Sequence, residues 1–158
     1  MDPGLLARLE EAGFEVSPQG VAPSNTTGAL WTDEQLQLSA RLLRRFHDAT
    51  ADSDVAGTAE VVCHNDYGPS NLLWREGAPV GIATFDRAGP GARLDDLAHA
   101  AWTHLNIEAL PLPPEEQARR LRVFVSAYGT ALDDDVLRAL ESLPRLQPWL
   151  AEHGELFA

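Results

Sequence analysis

The pattern of apolar and polar positions divides the chain into helical stretches towards both ends and a short β-rich stretch between them. The clearest helical signal begins at a capping box, Thr32-Asp33-Glu34-Gln35, and continues with apolar residues three and four apart, which predicts a helix over 33–49. The stretch 94–105 has the i, i+3, i+4, i+7 spacing of a buried helix face. Weaker patterns predict helices over 3–12 and 115–129, one that begins near Asp133, and a last one after Pro144.

Short apolar runs bounded by turn residues occupy the middle of the chain and predict β-strands. These runs are 59–63, 71–74 and 80–85, and the turn-forming sequence 75–79 joins the last two as a hairpin. Residues 17–29 are rich in Pro, Gly, Ser, Asn and Thr, which predicts a loop. We therefore expect a single domain over residues 1–158, of the α+β class and mostly helical.

The charge balance narrows the range of partners. The chain has 24 acidic residues against 12 basic ones, a net charge of −12, so nucleic acid is an unfavourable partner. All the basic residues are arginines. The absence of lysine from this sequence excludes Schiff-base chemistry within it, together with any phosphate site built on an ammonium group.

Targeting and membrane-spanning segments are not evident in the sequence. No apolar run approaches the roughly 18 residues that a membrane helix needs. The first four residues also lack the basic segment of a signal peptide. We therefore expect no membrane partner and a cytoplasmic location.

The single cysteine, Cys63, allows no intramolecular disulfide, and its place in an apolar run is typical of a small buried residue.

One octapeptide carries the arrangement of a catalytic loop. In the sequence 64–71, His64, Asp66 and Asn71 have the H-x-D-x-x-x-x-N spacing used by kinases, between two predicted strands. Phosphoryl transfer needs a carboxylate that accepts the proton of an attacking hydroxyl, and an amide oxygen that holds a magnesium ion. The same residue types also make ordinary turns, so the octapeptide alone leaves both interpretations open.

The sequence around the octapeptide favours the catalytic interpretation. The run from Gly81 to Ala98, together with the arginine-rich helix 41–47, resembles the aminoglycoside phosphotransferase family, and the resemblance covers roughly residues 30–110. It implies the helical C-lobe of a protein-kinase-like fold, with a small β-hairpin around the catalytic loop. By this resemblance Asp66 matches the catalytic base, Asn71 a magnesium ligand, and His64 the residue that braces the loop. The helix over 94–98 matches the structural helix behind the site.

The sequence departs from the family at the main metal position. After the hairpin the family has an aspartate followed by an aromatic residue, and this aspartate binds magnesium, but here Thr84 precedes Phe85. A neutral hydroxyl is a poor replacement for a carboxylate against a hard divalent cation. Asp86 lies two residues further on, so in an extended segment it projects to the same face as Thr84 and is the candidate substitute ligand.

A second departure concerns the nucleotide-binding lobe. About 30 residues precede the capping box, and they contain neither a lysine nor a strand pair that could form the family's N-terminal lobe. We therefore expect a C-lobe over 31–158 without its N-lobe, preceded by a remnant helix and loop over 1–30. The corresponding function is a pseudoenzyme that serves as a binding or assembly module and needs no cofactor.

Two enzymatic alternatives stay open at this point. One is a residual phosphotransferase that acts on a hydroxyl acceptor, with Asp66 as base and weak binding of Mg²⁺ with nucleotide. The other is a repurposed biosynthetic enzyme that uses the cleft at His64 and Asp66 without ATP.

A missing lobe would also change the surface. We expect apolar surface to be exposed around Val61, Leu72, Leu73 and Ile82, and hence a homo-oligomer or a protein partner. A small molecule that binds in the Asp66 cleft is a further expected partner.

Overall fold

A computed structural model of the chain describes residues 1–17, 31–107 and 109–158. The fold is α+β, as predicted. The described residues form six α-helices: α1 (Pro3–Glu11), α2 (Asp33–Thr50), α3 (Arg93–Leu105), α4 (Pro114–Tyr128), α5 (Asp134–Glu141) and α6 (Gln147–His153). They form five strands: β1 (Glu15–Ser17), β2 (Val61–Cys63), β3 (Leu72–Arg75), β4 (Ala78–Ala83) and β5 (Gly89–Gly91). Single 3₁₀ turns lie at Pro69–Asn71 and Gly154–Phe157. None of these described helices is both long and apolar enough to cross a bilayer.

The predicted helices are confirmed with small shifts at their ends, because their signals are local. The capping box of α2 is formed in both directions: Gln35 N–H donates to Thr32 Oγ1, and Thr32 N–H donates to Gln35 Oε1. The buried face of α2 includes Leu36, Leu43 and Phe46, and it packs along α4. This face makes α2 the central support for the loop that follows β2.

The two sheets differ from the prediction in their shortest strands, β1 and β5. In the larger sheet, β4 pairs antiparallel with β3 and parallel with β1, while β2 pairs antiparallel with β5. We predicted neither β1 nor β5, since three residues cannot show an alternating pattern and β5 is Gly-Pro-Gly. The predicted loop over 17–29 lies outside the described residues except for Ser17, which ends β1.

The hairpin between β3 and β4 is tighter than the predicted turn over 75–79. Its turn consists of Glu76 and Gly77, both at positive φ, 51° and 78°. Two consecutive residues at positive φ are characteristic of the type I′ turn that matches the twist of a two-residue hairpin. The strand predicted over 80–85 consequently starts earlier, at residue 78, and ends at residue 83.

The expected apolar surface is absent from the described part of the chain. Val61, Leu72 and Ile82 are fully buried, and Leu73 is partly buried. The prediction of exposure at these positions is therefore wrong, because α2 packs against β2 and β4, and β1 pairs with the edge of β4. The two backbones approach so closely that a Cβ on Gly81 would lie 2.3 Å from the carbonyl oxygen of Glu15. The expectation of a partner chain loses this reason and stays a prediction.

Candidate functional site

Residues 64–71 connect β2 to β3, and His64 fixes the start of this loop. Its side chain is fully buried, its Nε2 donates to the carbonyl oxygen of Ala83 at the end of β4 (2.9 Å), and its Nδ1 accepts from Asp66 N–H (3.3 Å). Burial lowers the pKa of His64, which matches a neutral imidazole with its proton on Nε2. The ring thus joins the loop to β4, and both of its nitrogens are used in doing so.

Asp96 of α3 holds the same end of the loop from the other side. Its Oδ2 accepts the backbone N–H of His64 (2.8 Å) and its Oδ1 accepts that of Asn65 (2.9 Å). The carboxylate also contacts His47 of α2, whose Nε2 lies 2.9 Å from Oδ2 and whose Nδ1 lies 2.6 Å from the hydroxyl of Tyr128. Burial alone would raise the pKa of Asp96, but these hydrogen bonds outweigh it and hold the pKa below its usual value. A buried, ionised carboxylate therefore anchors the loop backbone.

His47, Cys63 and Asp96 also offer ligand-type atoms within 4.8 Å of one another. The environment of these atoms argues against a metal. Burial raises the pKa of Cys63 to about 12, and its thiol donates a hydrogen bond to the carbonyl oxygen of Ala92 (3.2 Å). Both oxygens of Asp96 already accept hydrogen bonds. The cluster is a hydrogen-bonded part of the core, in agreement with the sequence prediction for Cys63.

The middle of the loop is held through Tyr67. This side chain is fully buried, and its hydroxyl donates to the carbonyl oxygen of Ser39 in α2 (2.7 Å). Thr103 Oγ1 of α3 donates to the carbonyl oxygen of Tyr67 (3.0 Å), and the ring of His104 stacks on the tyrosine ring at 5.5 Å. Helices α2 and α3 therefore hold the first half of the loop, residues 64–67.

The structure brings Asp66 and Asn71 together. Asn71 Nδ2 donates to the backbone carbonyl of Asp66 (2.8 Å) and to its Oδ2 (2.9 Å). Asn71 is buried, whereas Asp66 is partly exposed, so the carboxylate is accessible from outside. Since the amide nitrogen of Asn71 makes both contacts, its Oδ1 is the atom left for a ligand.

Thr84 and Asp86 are the two other residues considered for the predicted metal site. Thr84 directly follows β4 with φ +60°, and its buried hydroxyl has no hydrogen-bond partner among the described residues. Asp86 is exposed, and its role as a magnesium ligand stays a prediction. At the predicted main metal position the structure offers the neutral hydroxyl of Thr84, which is a poor replacement for a carboxylate against a hard divalent cation.

The left-handed backbone of Thr84 leads to a stability prediction. A β-branched residue at positive φ is strained by about 1–2 kcal/mol, and glycine is not. We expect Thr84→Gly to raise the free energy of unfolding by about 1 kcal/mol, after the entropic cost of glycine is subtracted. Urea unfolding measures this change. The matched control is Thr58→Gly at an exposed position with ordinary φ, where we expect a loss of about 0.5–1 kcal/mol. An equal loss at both positions would contradict the assignment of strain.

The anchoring pair His47–Asp96 and the contact from Thr103 were not found by sequence reasoning. One signal was available: Asp96 is a charged residue within the apolar face of α3. A carboxylate at such a position needs buried donors, but the sequence does not say which residues supply them.

Comparisons with known proteins cover most of the chain, including this loop. The sequence model of the phosphotransferase enzyme family matches residues 6–149, which include the whole loop and all the helices that hold it. The trifolitoxin immunity protein of Rhizobium leguminosarum bv. trifolii is 31% identical over 161 aligned positions, which cover 79% of this chain and 62% of that protein. The chain thus spans less than two thirds of the length of this relative.

Proposed function

Since the chain belongs to the phosphotransferase enzyme family, we propose that it uses the family's catalytic-loop architecture for ligand binding and not for phosphoryl transfer. In this proposal residues 31–158 correspond to the kinase-like C-lobe. Asp66 is the polar group that meets the ligand, and His64 positions the loop. The chain would act as a binding module of the pseudoenzyme type.

The observation that carries the proposal is Thr84 at the metal position. Catalysis of phosphoryl transfer is nearly all positioning and charge stabilisation, and a magnesium ion supplies much of the charge. The position offers a buried, neutral hydroxyl, and the nearest carboxylate in sequence, Asp86, is exposed. The loop itself is intact, with Asp66 and Asn71 in hydrogen-bond contact and the backbone anchored by Asp96. An intact loop without a strong cation site supports binding more than transfer.

The named relative suggests what such binding could serve. It is called an immunity protein, so we propose that this chain contributes to immunity by sequestering a toxic compound in the Asp66 cleft. The net charge of −12 favours a cationic or neutral compound over an anionic one. A second protein chain as partner, including a second copy, stays a weaker part of the proposal.

A nucleotide titration tests the proposal against the residual phosphotransferase. A site that bound Mg²⁺-ATP with a dissociation constant near 10 μM would, at 1 mM ligand, stabilise the fold by about 2.7 kcal/mol. For a domain of this size that corresponds to several degrees in Tm. We expect a shift of less than about 1 °C, measured by thermal unfolding with and without magnesium.

The control for this titration is Asn71→Ala, which removes the amide oxygen left for a cation. A magnesium-dependent shift of several degrees that is lost in Asn71→Ala would overturn the proposal. Transfer of labelled phosphate to a hydroxyl compound by the wild-type chain, and its absence in Asp66→Ala, would also overturn the proposal. That result would favour the residual phosphotransferase. A chemical conversion that needs Asp66 but no nucleotide would point to the repurposed enzyme.

A further inference from the structure

The exposed side of α2, away from the buried face that supports the candidate loop, carries a line of arginines. Arg41 and Arg45 are both exposed and stand four residues apart, so their side chains are neighbours on one face of the helix. Arg8 of α1 extends this line, because its Nε donates to the carbonyl oxygen of Ala49 (2.6 Å), four residues after Arg45. Positions 41, 45 and 49 follow one another at about 6 Å along the helix axis. We call Arg41, Arg45 and Arg8 the arginine stripe.

The arginine stripe is not neutralised by carboxylates. In the part of the chain that the structure describes, none of its three guanidiniums forms an ion pair. By contrast Arg44, also on α2, pairs with Asp48, which pairs with Arg93 as well. Acidic residues are not scarce, since the chain has 24 of them against 12 arginines. The stripe is therefore a local excess of positive charge on an acidic protein.

The stability of α2 does not account for this charge. Like charges four residues apart destabilise a helix, and Arg41 and Arg45 are such a pair. The helix dipole favours a basic residue only within the last turn, and α2 ends at Thr50, five residues beyond Arg45 and nine beyond Arg41. Proteins break such local rules chiefly at functional sites. The two positions therefore indicate a surface that meets a partner.

Two of the three side chains are held in place before any partner binds. The guanidinium carbon of Arg45 lies 4.7 Å from the centroid of the buried Phe14 ring. Arg8 is fixed through its Nε, while its two terminal nitrogens have no partner among the described residues. Side chains that are already ordered lose less conformational entropy on binding, and a guanidinium binds a carboxylate through two parallel hydrogen bonds. The stripe is thus suited to carboxylate groups.

Acidic side chains border the arginine stripe at both ends. Glu34 is exposed on α2, seven residues before the first arginine of the stripe and hence on the same face. At the other end, Arg8 lines a shallow groove against α1 together with Glu11 and Asp54. Three guanidiniums between acidic borders match a short run of about three anionic groups. A nucleic acid presents a longer array of phosphates, which would meet the acidic borders as well.

We propose that the arginine stripe is a docking surface for an acidic segment of a partner protein, with carboxylates four residues apart on one face of a helix. Aspartate or glutamate at that spacing repeats at the same interval of about 6 Å as the arginines. Each arginine then has a carboxylate partner, and the two surfaces are complementary in charge. The inference is independent of the ligand of the Asp66 loop, because it concerns the exposed side of α2.

A labelled peptide tests the docking surface. The probe is a fluorescein-labelled, alanine-rich helical peptide with three glutamates four residues apart, and its control has glutamines at the same positions. Fluorescence anisotropy at low salt should show saturable binding of the glutamate peptide with Kd below about 1 mM, and at least about tenfold weaker binding of the glutamine peptide. Salt at about 0.5 M should abolish the difference, because it screens exposed charges.

Two double variants with the same change in net charge assign this binding to the stripe. Arg41→Gln/Arg45→Gln should weaken the glutamate peptide about tenfold, as the loss of two exposed ion pairs does. Arg75→Gln/Arg138→Gln removes two exposed arginines that already pair with carboxylates, and it should stay within about twofold of wild type. Both variants should unfold within about 2 °C of wild type, which shows that they are folded.

A charge reversal adds a gain of binding that a structural role would not produce. Arg41→Glu/Arg45→Glu should lose the glutamate peptide and bind a peptide with arginines at the same three positions about tenfold more tightly than wild type does. This arm decides the question even if the glutamine variant is poorly folded, because an unfolded chain does not gain a specific site.

The remaining outcomes would overturn the docking surface. They are equal binding of the glutamate and glutamine peptides by the wild type, and equal losses in the two glutamine double variants. Tighter binding of a single-stranded oligonucleotide than of the glutamate peptide, lost in Arg41→Gln/Arg45→Gln, would replace the acidic segment by a nucleic acid. A wild-type dimer in light scattering that the same variant abolishes would replace it by a second copy of the chain.

Discussion

Asp96→Ala is expected to lower the free energy of unfolding by about 3–5 kcal/mol, the usual cost of removing one member of a buried, hydrogen-bonded pair. The substitution leaves His47 without its carboxylate partner and two backbone N–H groups, those of His64 and Asn65, without acceptors. Each buried donor left unpaired costs about 1–3 kcal/mol. Urea unfolding measures the loss. Faster amide exchange at residues 64 and 65 should accompany it, because the same carboxylate holds the loop.

The neighbouring residue supplies the control for this substitution. Asp95 lies in the same first turn of α3 but is exposed, so Asp95→Ala removes an equal charge at the same end of the helix dipole. We expect a loss of less than about 1 kcal/mol there. Comparable losses for the two substitutions would mean that the charge at the helix terminus, and not the loop anchor, determines the effect.

The pH dependence of this anchor has a definite sign. The pKa of Asp96 is held below its usual value, so its stabilisation is fully present above the pKa of the unfolded chain, about 3.9, and is lost as the pH falls through the lower folded-state value. The stability difference between wild type and Asp96→Asn should therefore narrow below about pH 4. A difference that stays constant to pH 2 would contradict an ionised Asp96.

The elements that the sequence predicts well are those with local causes. A capping box and a repeated apolar spacing specify α2 without reference to the rest of the chain. By contrast, β1 and β5 exist through pairing with distant strands, β1 with β4 and β5 with β2. The exposure of Val61 and Ile82 was predicted wrongly for the same reason, since their burial depends on the packing of α2 against β2 and β4.

The candidate site also combines features that follow from local spacing with features that depend on packing between distant segments. The spacing of His64, Asp66 and Asn71 predicts a loop in which the last two meet, and the 2.9 Å contact between them is the observed geometry. Spacing cannot show that Asp96 would accept from both His64 and Asn65, because that contact joins segments about 30 residues apart. Nor can it show the backbone conformation of Thr84, which depends on the packing of β4.

Phe46→Ala is the second substitution for which we expect a loss of about 3–5 kcal/mol, the range for a large aromatic ring removed from a core. Phe46 is fully buried in α2, and its ring centroid lies 6.3 Å from that of His64 and 6.2 Å from that of Phe85. The cavity would lie between the first residue of the loop and the residue after Thr84. We therefore expect the loss of stability, measured by urea unfolding, to be accompanied by weaker protection of the loop amides against exchange.

Two further variants show whether the loss of stability in Phe46→Ala comes from the cavity or from the removal of an aromatic ring as such. Phe157→Ala removes the same atoms from a partly exposed site near the end of the chain, where the ring packs on Trp149, and should cost less than half as much. Phe46→Leu refills most of the volume and should recover more than half of the lost stability, since the cost of a core truncation increases with the cavity left behind. If Phe46→Leu were as unstable as Phe46→Ala while Phe157→Ala stayed near wild type, the ring contacts with His64 and Phe85 would matter more than the filled volume.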